Sequence, residues 1–449
     1  MTHEASLLVA GGGLAGTEAA WQAAERGLRV TLAEMRPEKT TGAHRTDQLA
    51  ELVCSNSLGS ALPDRATGLL HHELRRMGSL LMTCADECRV PAGGALAVGR
   101  EAFAQRVTER LTAHPNITLL REEITAIPEG LCILATGPLT SDAFAQALAR
   151  FTGADQLFFF DALAPVVEKD SVNLNTAFRA SRYERGESEA GDYLNCPMNR
   201  AEYDAFISAL LGAERIVLKS FEQAIEGGVR AARKHFFEGC LPIEIMAARG
   251  HDSLAFGPLR PVGLTDPRTG RRPHAVLQLR QDDLAASLCN LVGFQTNLKF
   301  PEQERVFRLI PGLEQAVFAR YGQMHRNTYL CAPAVLHPTL QSRLREDVFF
   351  AGQLAGIEGY AGNIASGLLA GINAARQSCG TPLLELPRTT MLGALMQYLA
   401  QAPADHFQPV KANFGILPDL SSTERLGKRA RAAACAERAR TDLEAALAG

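Results

Sequence analysis

Long apolar runs are what this chain of 449 residues lacks most plainly. No stretch approaches the ~18 consecutive apolar residues of a membrane span, so no transmembrane helix is expected. The amino terminus carries Glu4 and no apolar core, so a secretory leader is not expected there either. Charge of one sign is missing too: 46 Lys and Arg stand against 49 Asp and Glu, a net −3. That balance excludes a general polycation, so any nucleic-acid contact has to come from a local patch. A disulfide framework is also absent. Ten cysteines in a long chain without a leader read as mostly free thiols in a reducing, cytoplasmic setting. Cys84 and Cys88 are spaced like half a metal site, but no second Cys/His pair matches them. No metal is therefore expected, and one helix face is the plainer home for the pair.

What is present begins at once. Ser6 to Ala10 is a short apolar run suited to a buried parallel strand. Gly11, Gly13 and Gly16 follow in G-x-G-x-x-G spacing, with Gly12, Leu14 and Ala15 between them. A helical run, Thr17 to Arg26, stops at Gly27, and Leu28 to Ala33 reads as a second strand ending at Glu34. Gly11 allows the tight turn, Gly13 lets backbone approach a pyrophosphate, and Gly16 lets helix and strand pack closely. Free N–H groups and the dipole at the helix start favour phosphate there. Glu34 stands where an acid takes a ribose 2′-hydroxyl. Strand, glycines, helix, strand and acid in this order predict a dinucleotide-binding unit.

Further on, Cys54 is flanked by Ser55, Asn56 and Ser57, residues that cap helices or make turns. A cysteine at a helix start can hold a stabilised thiolate; a small residue buried in a loop is the alternative. The pattern predicts helices over Gly68–Leu81 and Glu101–Leu111. It predicts strands over Ile117–Leu120 and Ile124–Ile127, and a buried strand from Leu131 that ends in Ala-Thr-Gly at 135–137. From Phe158 the pattern becomes mixed and richer in Arg, Tyr and Phe, as an insertion would be. Arg179, Arg182, Arg185, Arg233, Lys234, His235 and the loop Arg268–His274 are interleaved with Tyr183, Tyr193, Tyr203, Phe236 and Phe237. Such residues suit phosphate contacts and base stacking, or equally a solvated surface. Cys240 stands between the turn residues Gly239 and Pro242, just after three cationic or titratable residues, a setting that suits a reactive thiolate.

A second diagnostic stretch lies late. A strand, Val348 to Ala351, runs into a glycine-rich turn holding Gly352, Gln353, Gly356 and Gly359, and a small-residue helix opens near Tyr360. The strand–loop–helix logic of the amino terminus is thus repeated, as in FAD proteins of the two-dinucleotide type. The expected fold class is α/β: a doubly wound, Rossmann-like FAD-binding domain carrying an inserted α/β domain. The expected division is 1–150 and 329–449 for the FAD-binding part, the latter with carboxy-terminal helices, and 151–328 for the insertion. In the last helix, expected from Ser422 or Thr423, Arg425, Lys428, Arg429 and Arg438 share a face that is solvated or touches RNA.

The motifs GGGLAGTEAAW, AELVCSNSLGS, FFEGCLPIEIMAARG, AVLQLRQDD, GFQTNLKFPEQ, GQMHRNTYL, FAGQLAGIEGY and QPVKANFG span nearly the whole chain. Together they closely resemble the folate- and FAD-dependent tRNA (uracil-5-)-methyltransferases of bacteria. Departures are small: Gly99 where an acid is usual, and Ala361-Gly362-Asn363 after Tyr360. The resemblance implies 5-methyluridine formation at position 54 of the tRNA T-loop, with 5,10-methylenetetrahydrofolate as carbon donor and FAD reduced by NADPH or NADH. It implies Cys240 as nucleophile toward uracil C6, Cys54 as a second thiol, and Tyr360 stacked on the folate pterin. Gly11, Gly12, Gly13, Leu14, Ala15, Gly16, Glu34, Gly352, Gln353, Gly356 and Gly359 are the implied cofactor contacts. tRNA is the implied macromolecular partner, with no obligate protein partner. Three rivals are weaker. A wobble-uridine flavoprotein is longer, a disulfide reductase needs a C-x-x-C the first unit lacks, and a flavin-bearing tRNA-folding aid would not need Cys240.

Overall fold

A computed structural model describes residues 6–153, 157–184, 191–216, 241–420 and 426–448. Five strands form a wholly parallel sheet in the spatial order Val348–Phe350, Cys132–Leu134, Ser6–Ala10, Arg29–Glu34, Ile117–Arg121. The chain leaves Ser6–Ala10 toward Arg29–Glu34 on one side, and Cys132–Leu134 pairs on the other. The carboxyl end of Ser6–Ala10 is therefore a topological switch point, where open α/β sheets form their ligand crevice.

Helix Leu14–Ala24 packs along helix Tyr360–Ser378 at short range, because the late helix presents glycine where the first presents Ala15 and Ala19. A Cβ at Gly367 would lie 2.1 Å from the Ala15 carbonyl oxygen, and one at Gly371 2.4 Å from that of Ala19. The late helix is thereby fixed against the amino-terminal one, and Tyr360, its first residue, is fixed with it.

A second sheet is antiparallel throughout, in the order Phe178–Ala180, Tyr193–Met198, Ala275–Gln281, Leu288–Leu291, Val166–Glu168, Phe318–Arg320. It has its own core, in which Phe206, Phe294 and Phe307 pack with Phe294 and Phe307 edge to face at 5.3 Å. Leu157–Ala162 pairs antiparallel with Met324–Tyr329, so the chain enters and leaves this second unit on one two-stranded ribbon.

Where the two units meet, the contacts are polar. Tyr193 Oη donates to Ala92 O at 2.8 Å, and Asp192 accepts from Gly93 N at 2.5 Å. Arg100 and Asp282 form a bidentate pair, both side chains at most 4% exposed.

Several expectations shift. The first helix starts at Leu14 rather than Thr17, immediately after Gly13. The helix expected over Gly68–Leu81 is two, Ala66–Arg76 and Leu80–Glu87. Gly78 takes φ +77, and Ser79 caps the new helix by accepting from Met82 N. Cys84 and Cys88 sit on that second helix and at its cap. Ile124–Ile127 is not a strand: the chain leaves the sheet edge after Arg121, and Ile124 turns into the crevice wall. The last helix runs from Lys428 to Ala448, and Arg425 lies outside the described residues. Arg429 pairs with Asp64 at 3.0 Å, and Arg438 donates to the Pro418 and Asp419 carbonyls. No described helix is long and apolar enough to cross a membrane.

Candidate functional site

At the switch point lies a cleft framed by the amino-terminal glycine turn and the late turn at Gly352, the kind of concave site that receives a cofactor. Its floor is the turn after Ser6–Ala10. Gly11 takes φ +106 with its N–H on Ala33 O, and a Cβ there would stand 2.4 Å from Ala135 O. Gly13 precedes helix Leu14–Ala24 with no side chain capping the helix start, and the space beyond its Cα is open. The first helical N–H groups thus face the cleft without a side-chain acceptor, an arrangement that can receive phosphate. Gly16 does not line the cleft. A Cβ on it would lie 1.8 Å from Gly11 O, so it sets the close helix–turn contact.

Glu34 does line the cleft, but its carboxylate is already engaged. Oε2 accepts from Gly12 N at 2.8 Å, and Oε1 accepts from Arg36 N and Nε at 3.0 and 2.9 Å. Burial pushes this carboxyl up, yet the Arg36 guanidinium and the two backbone N–H groups outweigh it and hold it below its usual value. Glu34 is an anion that fixes the glycine turn, and a ribose hydroxyl would add to these bonds. Arg36, 2% exposed, bridges on to Glu51 at 3.1 Å. The opposite wall is apolar, with Ile124, Pro138, Leu139 and Phe144.

The late turn closes the cleft. Gly352 N donates to Ser366 Oγ at 2.7 Å, and Gln353 Nε2 to Glu358 Oε1 at 2.8 Å. Gly352, Gln353 and Tyr360 line it. Gly356 faces away, in a left-handed turn (φ +84) under Phe407. Gly359 lines a second cavity with Cys54, Ser55, Gln295, Glu358 and Tyr360. The two spaces share Val53, Pro138, Leu139, Gln353, Tyr360 and Asn363, so they adjoin.

Cys54 is half-buried in this second cavity, not at a helix start: the chain there is an irregular loop leading into strand Ser57–Ser60. The loop is held from three distant elements. Tyr360 Oη accepts from Cys54 N at 2.8 Å and Ser55 N at 3.1 Å. Burial, then the neighbouring Cys54, push the Tyr360 phenol above its usual value, so it stays neutral. Arg100 donates to Leu52 O. Arg280, from the second sheet, donates to Ser55 Oγ and Asn56 Oδ1 at 2.7 and 2.8 Å. Arg280 and Arg100 hold this loop from other elements, and motif spacing does not single them out. One trace exists: Gln278 and Arg280 alternate with Leu277 and Leu279 in the strand. Cys240, with Arg233, Lys234, His235, Phe236 and Phe237, lies outside the described residues, as does Arg185. Arg182 is half-buried and bonded to Gln278 at 2.7 Å, and Arg268 pairs with Asp266 at 2.8 Å. Among the described residues no group of His, Cys, Asp and Glu is arranged to hold a metal ion.

The family model for glucose inhibited division protein A matches residues 6–382. A methylenetetrahydrofolate–tRNA-(uracil-5-)-methyltransferase TrmFO of Synechococcus sp. (strain JA-2-3B'a(2-13)) is 60% identical over 95% of this chain and 91% of its own. The protein of the same name from Enterococcus faecalis is 51% identical over 98% and 97%. Among solved structures, Aquifex aeolicus GidA superposes with a TM-score of 0.70 at 16% identity, over 100% of this chain and 74% of that one. That likeness carries the fold, a GidA-like α/β architecture, to a chain shorter than GidA. At these identities and coverages, the chain belongs to the methylenetetrahydrofolate–tRNA-(uracil-5-)-methyltransferase TrmFO family.

Proposed function

We propose that the protein forms 5-methyluridine at position 54 of the tRNA T-loop, taking the carbon from 5,10-methylenetetrahydrofolate and its electrons from FAD kept reduced by NADPH or NADH. The observation that carries this reading is that the glycine-floored cleft adjoins the cavity lined by Cys54 and Tyr360. The cleft fits FAD. Its uncapped helix start suits the pyrophosphate, Glu34 suits the ribose, and the Pro138–Leu139 wall suits a flat apolar ring. When bound, FAD supplies the electrons that reduce the transferred carbon to a methyl group. Gly11, Gly12, Gly13, Leu14, Ala15, Glu34, Gly352 and Gln353 hold it, with Gly16 and Gly356 shaping the turns. Tyr360 lies at the junction of both spaces, where a pterin face can meet it.

Uracil C5 becomes nucleophilic once a thiolate adds to C6. Cys240 is the nucleophile in this reading, and Cys54 the second thiol, placed to take the C5 proton or to handle the adduct. One feature supports this: Ile243, a short way past Cys240, donates its N–H at 2.7 Å to the carbonyl of Gln295, which lines the Cys54 cavity. The target base leaves its stack to reach that cavity. The chain divides at 1–150, 151–328 and 329–449, a division that the two sheets with separate cores support. The enzyme acts in the cytoplasm and needs no obligate protein partner.

The test uses purified protein, an unmodified tRNA transcript, NADPH and methylenetetrahydrofolate labelled at its methylene carbon. Label is expected in 5-methyluridine with wild type and absent with Cys240→Ala. Label that persists in the variant moves the nucleophile elsewhere. No label with wild type that holds reducible FAD ends the reading.

A further inference from the structure

Arg280 is 7% exposed, and among the described residues the acceptors it meets are neutral. Nε donates to Asn56 Oδ1 at 2.8 Å, and Nη2 to Ser55 Oγ at 2.7 Å and Asn290 Oδ1 at 3.5 Å. The carboxylate beside it, Asp282, is taken by Arg100 through two bonds at 3.2 and 2.9 Å. Burial pulls the Arg280 guanidinium below its ordinary pKa, opposed by Tyr193 and Asp282, and it stays a cation. A guanidinium buried without its own anion is costly, so a merely structural position would favour a neutral side chain.

Its placement shows what the cost secures. Arg280 stands at the end of the second sheet's strand Ala275–Gln281, opposite Tyr193 on one neighbour and Asn290 on the other. From there it crosses to the loop of Cys54 in the other unit and grips two consecutive side chains with one planar fork. Asn56 returns the contact, donating to Gln281 O at 2.7 Å and Val98 O at 3.0 Å. Tyr360 fixes the backbone of the same loop from below, and Arg280 fixes its side chains from across the interface.

We propose that Arg280 is a positioning residue of the reaction: its fork on Ser55 and Asn56 sets where Cys54 stands in the cavity. The inference rests on the reading above, in which Cys54 faces substrate. The second unit thereby reports its docking to the thiol. Any movement of the second sheet against the first draws on the Cys54 loop through this side chain, together with the Asn56 bond to Gln281 O.

Arg280→Met, Arg280→Lys and Ser55→Ala, each isolated with FAD, test it in the labelled-methylene assay. Amide hydrogen exchange of the peptide covering 52–57 is followed in parallel. Arg280→Met is expected to lower kcat about tenfold or more, with KM for tRNA and for folate within about twofold. The 52–57 peptide should exchange at least about tenfold faster, while peptides of the five-stranded sheet keep their rates. Arg280→Lys keeps the charge but cannot span two acceptors, so it should fall between. Ser55→Ala, which removes one acceptor and no charge, should move both readouts the same way by a few-fold, and it carries the test if Arg280→Met does not retain flavin. Unchanged exchange in these variants overturns the proposal. So does a raised KM for tRNA at unchanged kcat, which would make Arg280 a direct RNA contact. Label missing from wild type would instead fail the reaction assigned above, and the exchange data would still judge the clamp.

Discussion

Two side chains at the residue scale show how burial and hydrogen bonding compete. Glu73 accepts from Met391 N and Leu392 N, both at 2.8 Å, at the start of helix Met391–Gln401. Those bonds favour the anion, but burial prevails and lifts the carboxyl to about 7. The folded protein therefore binds the Glu73 proton more tightly than the unfolded chain, whose value is near 4.5. Stability from this group is full below that value and is lost as pH rises through about 7, by about 3 kcal/mol at most. Glu73→Gln should flatten that part of the profile: the urea midpoint of wild type should drop more between pH 5 and pH 8 than that of the variant. Equal drops would put Glu73 at an ordinary pKa. Tyr360 poses the second case. Its hydroxyl is the acceptor for two backbone N–H groups, and Tyr360→Phe leaves both unpartnered at about 1–3 kcal/mol each. Flavin should stay bound, since the ring remains, while label transfer should fall about tenfold or more. Full transfer by Tyr360→Phe would show that the loop is held well enough without it.

At the scale of elements, the glycine fingerprint and the late turn were readable because each is a local pattern. A strand, a turn with no room for Cβ and a helix follow one another within one stretch of sequence. The Cys54 loop is different. Ser55, Asn56 and Ser57 suit either a helix start or a turn in the sequence, and the structure takes the loop, tied down by Tyr360 and Arg280 from far along the chain. Tyr360 accepts from the N–H groups of Cys54 and Ser55, and Arg280 donates to the side chains of Ser55 and Asn56. The break at Gly78 was hidden for a similar reason: Glu18, buried on the first helix, accepts from Ser79 Oγ and Leu81 N at 2.8 and 3.0 Å and starts the second helix there. The crossing of helices Leu14–Ala24 and Tyr360–Ser378 is another long-range contact, and it ties the two cofactor turns to each other. Gly367→Val would force the Ala15 backbone away from the late helix. The expected result is loss of bound flavin and destabilisation of about 3 kcal/mol or more, read from visible flavin absorbance and urea unfolding. A variant that binds flavin normally would show that the helices separate without moving the glycine turn.

The described residues hold two large cores joined by polar contacts, among them the buried pair Arg100–Asp282. Breaking such a pair leaves one charge buried alone, which costs about 3–5 kcal/mol, whereas replacing both members by apolar residues is often neutral. Arg100→Met and Asp282→Leu should therefore each lower the urea midpoint sharply, and the double variant should recover most of the loss. Activity should not follow stability. Arg100 also donates to Leu52 O, at the start of the Cys54 loop, and the double variant has no donor for that carbonyl. Label transfer should stay depressed at least about fivefold in a protein whose midpoint is near wild type, because the loop, rather than the fold, has lost its support. Recovery of both together would mean that the pair serves docking alone. Recovery of neither would mean that the two units need the charge pair to assemble, and that the polar seam between them is as much a part of the fold as either core.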